Sequence, residues 1–337
     1  MKNKVIRTIC YFADRQYDHA YKKLNDIADT LEEFDYFVQT KRICTNEGDV
    51  KKIESHFNDE SLLIGAGTLT RKSAIKQLQD IFNSGDVSFN LDLTKGVEKD
   101  DAEFLFKLIK NKAEKTFNFS YKFYDSPSTP FFPVATFQQN GFSLGLQSTD
   151  LSENCETIDE WLEKMKSVWE ELFSIFDDRK DFLGIDSSVA PLFEGKSSLI
   201  AFIKRLYGSF PETVTKDLYL KITKFIKEQN PKPLGLCGIM FPCLEDFDLA
   251  DEYDSGDFSI ERNIFLSLHS GLGIDTYPIG IDESPERVYE ILCVLQAFSE
   301  KYQKPLSARF VSDGKSKIGD KTDFRNQYMK DVIIRPL

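Results

Sequence analysis

The sequence contains very little histidine and no closely spaced cysteine pair. His19, His56 and His269 are the only histidines, and the six cysteines are scattered without a CxxC motif. This distribution gives no ligand spacing typical of a zinc site, so no metal-ligand set is predicted. It also gives no disulfide framework, and we expect most of the cysteines to be small buried residues in a reducing compartment.

The sequence also lacks an excess of positive charge and lacks long apolar runs. Its net charge is −12 and its pI is about 5.0, so its surface is expected to repel phosphate backbones and anionic membranes. No stretch approaches the roughly 20 apolar residues that span a bilayer, and the N-terminus lacks the apolar core of a signal peptide. We therefore expect no nucleic-acid partner, no membrane association and a cytoplasmic location.

Neither of the common nucleotide-binding glycine motifs is complete in this chain. The segment Gly65-Ala66-Gly67-Thr68 lacks the third glycine of a dinucleotide fingerprint, and it is interpreted as a tight turn between a strand and a helix. The segment Gly195-Lys196-Ser197 lacks the earlier glycine of a phosphate-binding loop, because position 190 is alanine. No flavin or haem signature appears either, so redox chemistry is not expected.

Apolar residues, by contrast, are plentiful and their spacing is regular. Hydrophobic residues make up 41% of the chain and include 29 phenylalanines, enough for a large phenylalanine-rich core. Strand-like and helix-like segments alternate along the first half, which predicts a parallel or mixed sheet covered by helices. We predict one α/β domain over residues 1–337, with a boundary near residue 150 as the alternative. The predicted strands in this part are 5–12, 36–45, 62–67, 87–93, 117–124, 142–147 and 182–186, and the main helices are 17–34, 71–84, 100–115 and 158–177.

A proline-rich segment interrupts this alternation at residues 125–133. It contains Pro127, Pro130 and Pro133, and three prolines in seven residues exclude regular structure and stiffen the backbone. We therefore predict a loop here.

Three polar signatures lie at the edges of apolar runs in the last third of the chain. They are Cys237–Asp246, Ser270–Gly280, and Ala308–Val311 with the Gly314-Lys315 and Gly319-Asp320 pairs that follow. Each is predicted to be a buried strand that ends in a charged residue and a glycine- or proline-rich loop. Because β/α proteins build active sites at the carboxyl ends of their strands, a small-molecule site with clustered acids and an arginine is expected.

Four acids are candidates for catalytic roles. Glu245 and Asp246 directly follow an apolar run, and two carboxylates at a strand end can share a proton, hold a divalent cation or position a substrate amine. Asp186 and Asp275 each close a Gly-Ile-Asp triplet at the end of a predicted strand. The alternative for each of these two is a helix cap. The acids after Asp248 are interpreted as a solvated loop.

Three further residues are candidates for substrate binding. Arg309 lies inside an apolar run, so its charge needs either a structural carboxylate or a substrate anion as partner. Lys315 follows it in a glycine-containing loop and can add a second positive charge. Cys243 is the best-placed thiol, although a nucleophilic role would need a base that the sequence does not identify.

A set of motifs occurs in order along nearly the whole chain: Ile6–Thr8, Thr129–Ala135, Gly184–Pro191, Phe241–Asp246, Gly273–Asp275 and Ala308–Asp320. This ordered set resembles the uncharacterised family known as domain of unknown function 711. The resemblance implies a single large β/α barrel similar to the fold of pyruvate formate-lyase, and it implies no known reaction. Glycyl-radical chemistry is not implied, because the C-terminal segment Phe324–Tyr328 has no glycine to hold a radical.

Two hypotheses for function follow from these residues. The first is a non-redox enzyme, a lyase, isomerase or hydrolase, acting on a small metabolite with a carboxylate or carbonyl group. Arg309 would bind the anion, and one acid with a raised pKa would act as general acid or base. The cofactor is unknown, and a divalent cation held by the acids is an option. The alternative is a non-catalytic metabolite-binding or scaffold protein on an enzyme-like barrel. A homodimer is expected on base rates.

Overall fold

The computed structural model describes residues 4–15, 17–57, 61–124 and 128–337, and it shows a mixed α/β architecture built on one ten-stranded sheet. The strands are β1 (Val5–Ala13), β2 (Phe37–Val38), β3 (Lys41–Thr45), β4 (Leu62–Leu69), β5 (Val87–Asp92), β6 (Phe119–Lys122), β7 (Gly141–Leu146), β8 (Phe182–Asp186), β9 (Gly273–Pro278) and β10 (Ser307–Val311). The helices are α1 (Tyr17–Glu33), α2 (Val50–Glu54), α3 (Arg71–Lys76), α4 (Leu78–Asn83), α5 (Lys99–Lys112), α6 (Ile158–Phe176), α7 (Leu199–Tyr207), α8 (Leu218–Glu228), α9 (Phe247–Ser255), α10 (Ile260–His269) and α11 (Pro285–Tyr302). The predicted α/β class is therefore confirmed.

The sheet consists of three blocks of parallel strands, and the central block runs in the opposite direction to the two outer blocks. Its strand order is β8-β7-β1-β3-β4-β5-β6-β10-β9, with β2 beside β1. Pairing is antiparallel only at β1–β7 and β6–β10 among these described strands. No regular ladder joins the end strands β8 and β9, so the sheet is not closed by strand pairing. Isolated bridges instead occur between them, at Ile185–Pro233, Val189–Ile239, Ile239–Gly271 and Pro242–Asp275.

Helix α6 shows why the sequence specifies the outer layer. Trp161, Met165, Trp169 and Leu172 recur at helical spacing on one face and are all buried. Thr157 caps the helix, because its side chain accepts a hydrogen bond from the backbone N–H of the third helical residue. This amphipathic stripe packs into the largest hydrophobic cluster, which also holds the outward-facing residues of the strands. The helix predicted at 158–177 is confirmed.

Residues 128–137, which we call the interior segment, lie on the inner face of the sheet, the face opposite the outer helices. The Asn90 side chain donates hydrogen bonds of 3.0 Å to the carbonyls of both Pro133 and Ala135, and Thr129 donates one of 2.6 Å to Asp186. No helix or strand forms in this segment, as the prolines predict, while residues 125–127 of the predicted loop lie outside the described residues.

The predicted glycine turn at residues 65–68 is wrong, because β4 continues through it to Leu69. A Cβ atom on Gly65 would lie 2.8 Å from the Phe132 ring of the interior segment. Gly67 adopts a φ of +69° at an irregularity in the β4–β5 pairing. Glycine is needed here for close packing and a bulge inside the strand rather than for a turn.

The predicted positions of the last three signatures also need correction. Residues 237–244 form isolated bridges and no regular strand. Asp275 and Arg309 lie inside β9 and β10 rather than at their ends. The acids between Asp248 and Asp254, interpreted as a solvated loop, belong to α9.

Among the described residues, no helix is long and apolar enough to cross a membrane. Helix α6, for example, has 19 residues, but charged residues are interspersed among its apolar ones.

Candidate functional site

A cavity of about 600 Å³ opens on the inner face of the sheet, beside the interior segment. Strands β3, β9 and β10 contribute buried charged residues to it and β1 contributes the half-buried Arg7, while Asp86, Glu114 and Arg325 are exposed at its rim. The charged residues that line it are Arg7, Arg42, Asp86, Glu114, Glu245, Asp275, Arg309 and Arg325. The apolar residues that line it include Leu63, Phe117, Phe131, Phe132, Met240 and Pro242.

Arg309 lies at the centre of a buried charge triad with two carboxylates. Its Nε donates a hydrogen bond of 2.6 Å to Asp275 Oδ1, and its Nη2 donates one of 2.8 Å to Glu245 Oε1. Its Nη1 contacts the carbonyl of Phe117 at 3.3 Å, and the guanidinium stacks over the Phe117 ring. The side chains of all three charged residues are at most 10% exposed. The triad is therefore a preorganised unit, and each nitrogen of the Arg309 guanidinium already donates one hydrogen bond.

Burial and charge act against each other in this triad. Burial tends to lower the pKa of Arg309, but the charges of Asp275 and Glu245 outweigh it and raise the pKa above its ordinary value. Burial raises the pKa of Asp275, and the neighbouring Glu245 adds to that rise while Arg309 opposes it. Asp275 is therefore the carboxyl of the triad whose protonated form is favoured by burial.

Arg42 is also buried, but it has no carboxylate partner among the described residues. It is 6% exposed, and its Nε and Nη1 make only long contacts, 3.3 Å to Thr40 Oγ1 and 3.4 Å to the Pro130 carbonyl. The guanidinium stacks on the Phe132 ring at 5.0 Å. Burial, and then the positive charge of Arg7, lower the pKa of Arg42 to about 9. The residue is still protonated at neutral pH, so it presents an uncompensated positive charge to the cavity.

Arg7 adds a second positive charge beside Arg42. Its Nη1 donates a hydrogen bond of 3.2 Å to the Gln39 side chain, and within the described ranges no carboxylate lies within ion-pair distance of it. Burial lowers its pKa, partly offset by the negative charge of Glu245. Two neighbouring guanidiniums without acids are an arrangement that binds carboxylate or phosphate oxygens.

Asp186 and Asp246, two of the predicted catalytic acids, lie outside the cavity lining. Asp186 accepts hydrogen bonds from Thr129, from Ser188 and from the backbone N–H groups of Leu236 and Cys237. It therefore joins the interior segment to two loops.

Asp246 caps two helices at once. It is fully buried and accepts hydrogen bonds from Ser198 and from the backbone N–H groups of Leu199, Ile200 and Leu249. These donors belong to the first turns of α7 and α9. A helix cap was the alternative weighed for Asp186 and Asp275, but Asp246 is the acid that takes this position. A catalytic role for Asp186 or Asp246 stays a prediction.

Two predicted substrate-binding residues also lie away from this cavity. Lys315 is exposed and pairs with Asp323 at 2.6 Å in a neighbouring surface cavity. Cys243 is fully buried, and burial raises the pKa of its thiol well above the ordinary value, so the thiolate that a nucleophile needs is disfavoured. Their binding roles stay predictions that this geometry does not favour.

Sequence reasoning missed Arg7 and Arg42 as binding residues. Arg7 interrupts an apolar strand run as Arg309 does, so the argument applied to Arg309 would have found it. Arg42 follows Thr40 and Lys41, so no such local signal marks it. No group of three or more histidine, cysteine or acidic side chains suited to a metal ion occurs among the residues that the structure describes. Glu245 and Asp275, the acids nearest to such a role, bind the guanidinium of Arg309 instead.

The comparison with known families agrees with the order of motifs. A model of the family described as Uncharacterised ACR (DUF711) matches residues 73–326, more than half of the chain. The chain belongs to this family. No curated protein matches it. In this DUF711 protein, Glu245, Asp275 and Arg309 lie within the matched span, whereas Arg7 and Arg42 precede it.

Proposed function

We propose that this protein is a non-redox enzyme that binds a small organic acid in the inner cavity. Arg7 and Arg42 bind the acid group, and the triad of Glu245, Arg309 and Asp275 supplies proton transfer. The single observation that carries the proposal is Arg42, a buried guanidinium that faces an open cavity and has no acid partner in the part of the chain that the structure describes. Because an uncompensated buried charge costs stability, its presence is best explained by a ligand that neutralises it.

The triad has the features of a general acid–base pair. Glu245 and Asp275 both line the cavity, and each contributes one carboxylate oxygen to Arg309. A shared guanidinium fixes the orientation of both carboxylates, and burial raises the pKa of Asp275 toward a useful range. Lyase, isomerase or hydrolase chemistry is compatible with such a pair. The arginine that we expected to bind the substrate thus holds the acids, and the anion-binding role passes to Arg7 and Arg42.

Anion binding is tested by thermal shift and calorimetry with a panel of small carboxylates and 2-oxo acids. We expect Arg42→Gln to weaken the binding of any hit about 10- to 100-fold, the value of one or two charged hydrogen bonds. The matched control is Arg287→Gln, which removes the same charge from α11 at a residue that does not line the cavity. Equal affinities of the two variants would overturn the assignment of Arg42.

The alternative is a binding or scaffold protein without turnover. A proton-exchange experiment on a bound ligand distinguishes it from an enzyme. A proton-transfer pair should exchange the hydrogens next to the carbonyl of a bound 2-oxo acid with deuterium from solvent, which proton NMR detects. We expect exchange with the wild type and at least about a hundredfold slower exchange with Asp275→Asn. Binding without exchange for every ligand that binds would favour the scaffold hypothesis.

The barrel that the family resemblance implies is also retained as a proposal. The isolated bridges at residues 185–193, 233–242 and 271–275 support it, since they lie between the two end strands. Hydrogen–deuterium exchange tests it. Slow exchange of the amides at residues 237–241 would favour a closed ring of strands, and exchange as fast as that of an exposed edge would oppose it.

A further inference from the structure

Resting on the proposed function, we infer that the ligand of the inner cavity is a monoanion: one carboxylate on an uncharged, apolar or aromatic body. The inference depends on the number and placement of the buried charges and on the chemistry of the cavity walls. It names the substrate class that the proposed function leaves open.

The first argument is the charge balance of the groups inside the cavity, of which Arg7 is half-buried and the others are buried. Arg7, Arg42 and Arg309 contribute three positive charges, and Glu245 and Asp275 contribute two negative charges when both carboxyls are ionised. One positive charge is left over. The exposed rim residues Asp86, Glu114 and Arg325 are in contact with water, which screens them. A ligand with a single negative charge therefore makes the buried set neutral.

The second argument concerns which of the arginines can bind a ligand anion. Each nitrogen of the Arg309 guanidinium already donates a hydrogen bond, to Asp275, to Glu245 or to the Phe117 carbonyl. Arg42 holds only two long contacts, and one face of its guanidinium is covered by Phe132. An anionic group is therefore directed to Arg7 and Arg42, at the side of the cavity formed by β1 and β3.

The third argument concerns the remainder of the cavity. Beyond Arg7 and Arg42, a ligand meets aromatic and aliphatic walls, formed among others by Leu63, Phe131 and Met240. It also meets uncharged polar side chains such as Asn326 and Tyr328, and the carboxylates of the triad. Because the remaining cation, Arg325, is at the exposed rim, a second ligand carboxylate inside the cavity would lie against uncharged walls or beside the two acids, and like charges at close range are strongly unfavourable. An apolar or aromatic body gains binding energy from the same walls.

The test compares acids that differ by one carboxylate on the same body, by isothermal titration calorimetry at pH 8. The pairs are 3-phenylpropanoate with 2-benzylmalonate, and 4-methylpentanoate with 2-isobutylmalonate. We expect each monoacid to bind the wild type at least about tenfold more tightly than its diacid. If each diacid binds as tightly as its monoacid, or more tightly, the inference is overturned and the proposed anion site is kept. If none of the four binds, both are overturned.

A charge variant tests the cause of the selectivity. Glu245→Gln raises the buried charge from one to two positive units while retaining a hydrogen-bond acceptor for Arg309. We expect the ratio of monoacid to diacid affinity to fall at least about threefold in this variant. If Glu245→Gln does not fold, Asp275→Asn is used instead, because it removes one negative charge in the same way. The control Glu212→Gln removes an exposed charge outside the cavity and should leave the ratio unchanged. A ratio that is the same in the wild type and in the charge variant would overturn the charge argument.

Discussion

Arg309 on β10 and Asp275 on β9 face each other across two parallel neighbouring strands, with 2.6 Å between Nε and Oδ1. Because both side chains are buried, each is the main reason that the other can remain charged there. The pair fixes the charge pattern of the cavity, since it removes Arg309 from the groups available to a ligand. For this reason we expect replacements of Arg309 and Arg42, which line the same cavity, to have opposite effects on stability.

Replacing Arg309 should be strongly destabilising. Arg309→Gln leaves Glu245 and Asp275 buried side by side without their counter-ion, and breaking a buried pair in this way costs about 3–5 kcal/mol. Urea denaturation gives the free energy of unfolding. The control Arg287→Gln, on the surface of α11, should change it by less than about 0.5 kcal/mol. A loss below about 1 kcal/mol would show that the triad is open to water.

Replacing Arg42 should change the free energy of unfolding in the opposite direction, by stabilising the protein. Arg42→Met keeps an unbranched chain against Phe132 and removes a buried charge that has no acid partner among the described residues. We expect the ligand-free protein to be stabilised by about 1–2 kcal/mol, while the thermal shift produced by a carboxylate ligand is lost. Destabilisation as large as that of Arg309→Gln would mean that Arg42 is a structural residue.

Asp246 should prove to be a structural cap. Each of its two oxygens accepts two hydrogen bonds, from Ser198 and from backbone N–H groups of α7 and α9. Asp246→Asn turns an N–H₂ group toward these donors, so we expect a loss of about 1–3 kcal/mol in the free energy of unfolding. The exposed Asp251→Asn serves as the control. Ligand affinity should be unchanged in folded Asp246→Asn, and a large loss of affinity would return Asp246 to the site.

Lys304 should make stability depend on pH above neutrality. Burial, and then the positive charge of Lys227, lower the pKa of Lys304 to about 7, and its ammonium donates to the Ser267 carbonyl. The unfolded chain keeps the proton up to a pKa of about 10.4. Between these values the unfolded state binds more protons, so this lysine makes the free energy of unfolding rise as pH rises.

The measurement compares the wild type with Lys304→Met at pH 7, 8 and 9. The variant should be the more stable at pH 7, and the difference should shrink by about 1–2 kcal/mol by pH 9. Taking the difference removes the contribution of buried cysteines and tyrosines that titrate in the same range. The exposed Lys301→Met should show no such trend. A difference that stays constant with pH would place the pKa of Lys304 outside this window.

Local pattern predicted the helices better than it predicted the strands. The apolar spacing of α6 is complete within the helix itself, and its capping threonine immediately precedes it. By contrast, Gly65 was interpreted as part of a turn because glycine is common in turns. Its actual role depends on Phe132, a residue distant in sequence that packs against it. Such contacts leave no periodic signal.

The candidate site was partly predictable, because some of its features are local in sequence and others depend on contacts between distant residues. A charge inside an apolar strand demands a partner, and for Arg309 this rule left open a structural carboxylate or a substrate anion. The structure shows two carboxylates beside it. Which of the four candidate acids would pair with it depended on the fold, which brings Glu245 and Asp275 to Arg309 and leaves Asp186 and Asp246 to bind backbone N–H groups.

The sequence by itself determined the α/β class, the outer helices and the presence of buried charges, because periodicity and residue type act over short distances. Only the tertiary structure decided which charges are neutralised. The pairing of β9 with β10 saturates Arg309, while the placement of the interior segment gives Arg42 an aromatic ring and a carbonyl instead of an acid. Electrostatic energy depends on separation in space and on burial, and neither quantity is encoded in the spacing of residues along the chain.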